Sequence, residues 1–374
     1  MDAIDITAEF VSYNSASQLS NASLSKAIAK RMRQAGLTVE RVDYRDANGE
    51  LKVSLVGKKG RGTGGLALMG HSDVVPADGW ATDPFKLTAK NGRLYGRGSA
   101  DMKGSVACMI ATAAAFSAKD LKRPVYVVVT ADEETTSGGA RAVLNRSKTL
   151  KSSRVRYGII GEPTLLDVVY AHKGAFKVEA TAKGRATHSS TGRGVNANHL
   201  MIPFLNDMLG LINRVENDPA YRNNTFDPPH CTWNIVMGDG DTASNVTARE
   251  SRATINARPM PDQDWNPIQK KVERLGQKHG VKVNVGYELQ PLYTPPASRI
   301  IREALKVTGK RKPKTVAYGT DGMIFGKAME LVVMGPGSIQ QAHKTDEWIA
   351  RDQLHKGVDA FARMVSRFCI EDPE

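Results

Sequence analysis

Cysteine is scarce. The three in this 374-residue chain, Cys108, Cys231 and Cys369, are too few and too far apart for a disulfide framework, and no CxxC pair suggests a thiolate zinc site. A reducing cytoplasm is the expected compartment. No run of about eighteen or more apolar residues occurs, so no membrane span is expected. The opening MDAIDITAEF is acidic and amphipathic rather than basic and then apolar, which argues against a signal peptide. Internal repeats and low-complexity segments are also missing. The densest basic groups, Lys58 to Arg61 and Lys310 to Lys314, contain no aromatic residue. The formal charge of +13 is therefore read as a surface that draws in anionic metabolites, not as a nucleic-acid interface.

What is present points to a large folded protein. With 41% hydrophobic residues the chain can bury a substantial core, but 374 residues exceed what one core usually organises, so two domains are expected. Short apolar runs, Leu66 to Met69, Val125 to Thr130, Tyr157 to Ile160 and Leu331 to Met334, read as buried strands. Between and around them Ser23 to Ala35, Lys103 to Ala118, Gly138 to Asn145, Arg299 to Thr308 and Gln353 to Phe368 read as helices. The alternation predicts an α/β domain, a mostly parallel sheet with helices on both faces. From about Gly174 to Tyr287 the texture changes to half-solvated strands. Helices over Ala197 to Val215 and Pro267 to His279, with strands over Thr232 to Met237, Glu250 to Pro259 and Val281 to Tyr287, predict an inserted α+β, ferredoxin-like βαββαβ domain. The expected division is residues 1–173 and 288–374 for a catalytic domain and 174–287 for the insert.

Chemistry gathers where the parallel strands end. His71 and Asp73 follow the first strand, at the edge where α/β sheets place ligand-binding groups, although such a short motif alone more often marks a capped turn than a metal site. Asp101 precedes a helix, Glu133 and Glu134 follow the second strand, Glu162 follows the third and His343 lies beyond the fourth. Glu133 and Glu134 also suit a solvated helix start, where carboxylates favour the dipole. Several carboxylates held together would repel one another unless cations compensate. Oxygen and imidazole donors without thiolate suit Zn2+, Co2+ or Mn2+ in a site left open to water and substrate. A carboxylate offers two oxygens and a neutral imidazole one donor nitrogen, so Asp101 is the natural bridge between two ions.

The stretches GHSDVVPADGW (70–80), GRGSADMKG (96–104), TADEE (130–134), GEPT (161–164) and QAHKTDEW (341–348) resemble the metallopeptidase family of aminoacylases, carboxypeptidase G, succinyl-diaminopimelate desuccinylase and acetylornithine deacetylase. They follow that family's order over nearly the whole chain. The resemblance implies that His71 and Glu162 hold one metal, Glu134 and His343 the other, and that Asp101 bridges both. It makes Glu133 the general base and has Asp73 hydrogen-bond the far nitrogen of His71. It also implies a cis peptide between Asp101 and Met102 and an insert that serves as a dimerisation or lid domain. His188 would stabilise the oxyanion, from the partner subunit in dimeric relatives. Arg258, in the AsnAlaArgPro stretch, would clamp the substrate α-carboxylate as a planar two-pronged donor, with Asn245 assisting.

Substrate identity rests on fewer residues. ATADEE, IIGEPT, AHKG, GRGVNA and GPGSIQQAHKTDEW are similar to the acetylornithine deacetylase branch, whereas GTDGMIF (319–325) departs from it and is similar to the desuccinylase, leaving the role of Asp321 open. The resulting expectation is a cytoplasmic homodimer with two divalent ions, Zn2+ first and Co2+ or Mn2+ also suitable. It would hydrolyse N-acetyl-L-ornithine to L-ornithine and acetate in arginine biosynthesis. A desuccinylase, a general aminoacylase and a dipeptidase are the alternatives within the same chemistry. A non-catalytic binding protein on the same fold would be expected to have lost ligands, and none is missing.

Overall fold

Continuous apolar runs form the centre of the larger unit. Val125–Thr130 (VYVVVT) and Leu66–His71 are buried along their whole length, as strands covered on both faces must be. Each fully buried valine of the first contributes about 1.5–3 kcal/mol of transfer free energy. The computed structural model describes residues 1–371, with the side chains of 287 and 288 excepted. The chain divides into two compact units, one comprising Met1–Tyr170, Tyr293–Lys314 and the residues from Thr320 onward, the other Ala171–Leu292 with Thr315–Gly319.

In the first unit Val125–Thr130, Leu66–His71, Tyr157–Ile160 and Glu330–Val333 lie side by side in that order, all parallel. Their carboxyl ends therefore share one edge, and the chain leaves each of them toward one of the singled-out residues. Helix Lys103–Ala115 is almost wholly buried. Its run of Ala, Ser and Gly lets helices Ala3–Val11 and Arg351–Ser366 pack directly on it.

The sheet is mixed rather than parallel to its edge. Thr38–Arg45 and Leu51–Lys59 form an antiparallel hairpin, and the second of these strands pairs antiparallel with Val125–Thr130. This hairpin is not among the strands expected from the apolar runs, although Asn48–Gly49 lies in its turn. Asp46 Oδ1 accepts from the Asn48 and Glu50 N–H groups at 2.9 Å each, and Gly49 takes φ +84°. Element ends differ slightly elsewhere: the last parallel strand begins at Glu330, and the long buried helix stops at Ala115.

The second unit runs strand Ala175–Lys183, helix Asn198–Asn217, strands Thr232–Gly238 and Glu250–Arg258, helix Asn266–His279 and strand Lys282–Leu289. Its four strands are antiparallel throughout, in the order Thr232–Gly238, Glu250–Arg258, Ala175–Lys183, Lys282–Leu289. That is the ferredoxin-like βαββαβ arrangement. Alternate residues Phe176, Val178, Ala180 and Ala182 face the buried side, where Phe176 meets Trp265 at a ring-centroid distance of 4.9 Å. Among the described residues no helix is long and apolar enough to cross a membrane.

Candidate metal centre

The shared edge of the parallel strands concentrates donors. His71 is the last residue of its strand, and its ring is 1% exposed. Its Nδ1 lies 3.0 Å from the main-chain oxygen of Asp73. A carbonyl can only accept, so Nδ1 carries a hydrogen and Nε2 is the nitrogen turned toward the carboxylates, where a metal would bind. That nitrogen stands 3.2 Å from Asp101 Oδ1 and 3.9 Å from Glu162 Oε1. His343 Nε2 stands 3.0 Å from Glu134 Oε2 and 3.6 Å from Asp101 Oδ2. Two triads result, His71–Asp101–Glu162 and Asp101–Glu134–His343, each with donor atoms within 4.8 Å of one another.

These triads fit divalent cations on two counts. Ligands about 2.1 Å from a tetrahedral ion stand about 3.4 Å apart, in the middle of the measured separations. The electrostatics also ask for positive charge. Burial, with Asp101 and Glu134 adding repulsion, pushes the Glu162 carboxyl well above its ordinary value against the pull of His71. Glu134 is raised by burial and then by Asp101, partly offset by His343. Burial disfavours charge on His71, but Asp101, Asp73 and Glu162 outweigh it and hold the imidazole well above its usual range. Only His343 is open, its side chain 56% exposed, so the second triad has a solvent side.

Asp73 faces His71 with its main-chain oxygen at 3.0 Å and its carboxylate Oδ1 at 3.6 Å from Nδ1. The carboxylate also accepts from Ser17 Oγ at 2.8 Å and from the main-chain N–H groups of Glu133 and Glu134 at 3.2 and 3.3 Å. Burial opposes its ionisation, yet His71, Ser17 and the Glu133 N–H hold it below the usual carboxylate range. Asp73 thus ties the turn that carries Glu133 and Glu134 to the strand that carries His71.

Glu133 belongs to neither triad. Burial, then the charges of Glu162, Asp321 and Glu134, raise its carboxyl well above the ordinary value despite His71. The Asp101–Met102 peptide is cis. Asp132 takes a left-handed φ of +58° just before Glu133, and His343 one of +64°. Backbone strain of this kind, about 1–3 kcal/mol per residue, persists where surrounding structure over-determines it. For Asp132 that structure is visible: Tyr44 donates to one carboxylate oxygen and the buried Lys52 ammonium lies 3.0 Å from the other. Asp321 is 3% exposed and accepts from Thr130 Oγ1 at 2.5 Å. Burial, set against that hydrogen bond and reinforced by Asp73, pushes its carboxyl up to about 6.

His188, Asn245 and Arg258 lie in the second unit and are exposed. His188 and Asn245 are neighbours, since the Ser189 N–H donates to the Asn245 carbonyl at 2.8 Å, and His188 Nδ1 meets Ser190 Oγ at 2.7 Å. Arg258 ends its strand opposite Thr232. Residues that the sequence reading did not assign also shape the centre: Ser17, Lys52, Arg97, Thr130, Asp132 and Glu347. Arg97, Thr130, Asp132 and Glu347 sit inside the quoted motifs, which was the available signal; Ser17 and Lys52 have none.

A model of peptidase family M20/M25/M40 matches residues 67–367. The chain belongs to that family. Acetylornithine deacetylase of Photorhabdus laumondii subsp. laumondii is 33% identical over 362 residues, covering 94% of this chain and 92% of that one. Acetylornithine deacetylase of Myxococcus xanthus is 34% identical over 374 residues, 96% of each chain. Among solved structures, a dinuclear metal binding peptidase of the M20 family from Bacillus subtilis superposes with a TM-score of 0.69 over 97% of this chain and 96% of that one. At 14% identity this last likeness shows the shared fold alone. As a member of the M20/M25/M40 family the chain is a metal-dependent hydrolase.

Proposed function

We propose that the enzyme removes the acyl group from an N-acyl amino acid, with N-acetyl-L-ornithine as substrate and L-ornithine and acetate as products. In the cell this is a cytoplasmic step of arginine biosynthesis. The observation that carries the chemistry is the sharing of Asp101 between two donor triads. The choice of acyl amino acid is supported by the acetylornithine deacetylases that match along almost the entire chain.

His71, Glu162 and Asp101 would hold one divalent ion and Glu134, His343 and Asp101 the other, with Zn2+, Co2+ and Mn2+ all suited to the donors. Such ions, when bound, lend Lewis acidity that polarises an amide carbonyl and makes a water nucleophilic near neutral pH. Glu133, half-buried and in neither triad, takes the proton of that water as its oxygen adds to the amide carbon. The same proton then passes to the departing nitrogen as the carbon–nitrogen bond breaks. Asp73 fixes Glu133 through its main-chain N–H. His188 donates to the oxyanion, and Arg258, with Asn245, pairs with the substrate α-carboxylate. Asp321 is buried and accepts from Thr130 Oγ1.

Metal-loaded enzyme given N-acetyl-L-ornithine, its α-amide and N-succinyl-LL-diaminopimelate side by side should show the highest kcat/KM for the first. Faster turnover of the succinyl compound reassigns the substrate, and equal turnover of the α-amide removes the Arg258 clamp.

Homodimerisation through the second unit is part of this reading. Ile202 and Leu209 are exposed on one face of helix Asn198–Asn217, two turns apart, and Val236 and Met237 on the edge strand Thr232–Gly238. An unpaired strand edge with apolar neighbours is a template for a second chain. The double variant V236D/M237D should sediment at half the wild-type mass; a variant that keeps the parent mass rejects this surface.

A further inference from the structure

Glu347 is a fully buried carboxylate, 0% exposed, without a place in the chemistry described above. Four donors converge on it. Oε1 accepts from the main-chain N–H groups of Ala100 and Asp101 at 2.8 and 3.0 Å. Oε2 accepts from the Gly98 N–H and from Arg97 Nη1, both at 2.9 Å. Its own main-chain oxygen takes the Gly96 N–H at 3.0 Å. Arg97, 2% exposed, is held in turn by the Pro76 carbonyl at 3.2 Å and by the Trp80 ring at 5.4 Å. Gly98, at φ +82°, has no room for a side chain: a Cβ would lie 2.8 Å from Val74 Cγ1 and 2.9 Å from Lys103 Cδ.

The location of this cluster gives it a use. The segment 97–101 ends in the carboxylate common to both triads, and the segment 343–347 begins with the imidazole of the second. Just beyond, Trp348–Ala350 pairs antiparallel with Arg93–Tyr95, so the two segments are stitched on one side by a ladder and on the other by Glu347. We propose that Glu347 and Arg97 are positioning residues that clasp the Asp101 and His343 segments at ligand spacing, and so set the affinity of the second metal position above all. That position draws two of its three ligands from clasped segments, the first only one. The proposal rests on the dinuclear reading of the site.

Glu347→Gln keeps the shape but turns one end into a donor, which faces either the Ala100 and Asp101 N–H groups or Gly98 N–H and Arg97. Buried N–H groups then go unpaired. Losing a partner that orients ligands typically costs about 10–100-fold in metal affinity. The test is a titration of metal-free protein with Zn2+ against a chromogenic chelator, read as two stepwise dissociation constants. E347Q should weaken the second constant by at least tenfold and the first by less, and Glu347→Asp, which keeps the charge but falls short of the loop, should not restore it. A purely structural role would move the melting temperature of the metal-free protein while leaving the ratio of the two constants alone. Unchanged constants in folded E347Q, an unchanged ratio, or full rescue by E347D overturn the proposal. If E347Q does not fold, Arg97→Lys decides, because it keeps the charge and loses the planar fork: unchanged constants there overturn it equally. Wild-type protein that takes up fewer than two equivalents defeats the dinuclear reading itself, an outcome separate from the others.

Discussion

Glu133→Gln lowers turnover of N-acetyl-L-ornithine by about two to four orders of magnitude, the range a single general acid–base group supplies, and leaves two metals bound. The asymmetry follows from position. Glu133 is in neither triad, so exchanging its carboxylate for an amide removes a proton acceptor without removing a ligand. The turn is retained as well, because Asp73 holds Glu133 by its main-chain N–H rather than by its side chain. Burial and the neighbouring carboxylates already disfavour charge on Glu133, so with an uncharged amide in its place metal-free E133Q should melt no lower than metal-free wild type. Single-turnover kinetics with elemental analysis of the same sample check both halves. Turnover within threefold of wild type would falsify the role of Glu133, while lost metal would move it into the ligand set.

Legibility in the sequence followed distance along the chain. The four parallel strands announced themselves as apolar runs, and each ligand candidate lies within a few residues of a strand end, apart from Asp101 and His343, which the motifs supplied. The hairpin Thr38–Arg45 and Leu51–Lys59 did not stand out, because its outer strand is mostly solvated and carries no apolar run. Asp73 shows what spacing carries: two residues after a histidine, its carbonyl and its carboxylate lie 3.0 and 3.6 Å from the same ring nitrogen. Lys52, Asp132 and Tyr44 meet across some eighty positions. Lys52 and Tyr44 alone look like ordinary surface residues, and Asp132, though inside TADEE, points to neither partner. Glu347 was hidden for another reason, since three of its four partners are main-chain N–H groups, which every sequence contains.

Asp101→Asn should abolish the dinuclear centre without unfolding the protein, and the metal-free state gives the sharper measurement. In wild type Asp101 faces both imidazoles, through Oδ1 at 3.2 Å and Oδ2 at 3.6 Å. An asparagine keeps one oxygen and puts an NH2 group where the other was, so at most one triad remains complete. Metal affinity should therefore fall by more than the roughly 10–100-fold that follows loss of an outer partner, and chelator-washed protein should retain fewer than two equivalents. Without metal the sign reverses. The Asp101 charge raises both Glu134 and Glu162 against the pull of the two imidazoles, and its removal relieves that repulsion. Metal-free D101N should accordingly melt at or above metal-free wild type, whereas saturating Zn2+, worth about 2.7 kcal/mol at a hundredfold excess over Kd, should raise only the wild-type melting temperature substantially. A D101N protein that keeps two tightly bound ions, or whose metal-free form melts well below wild type, would show that Asp101 serves the fold and not the ions.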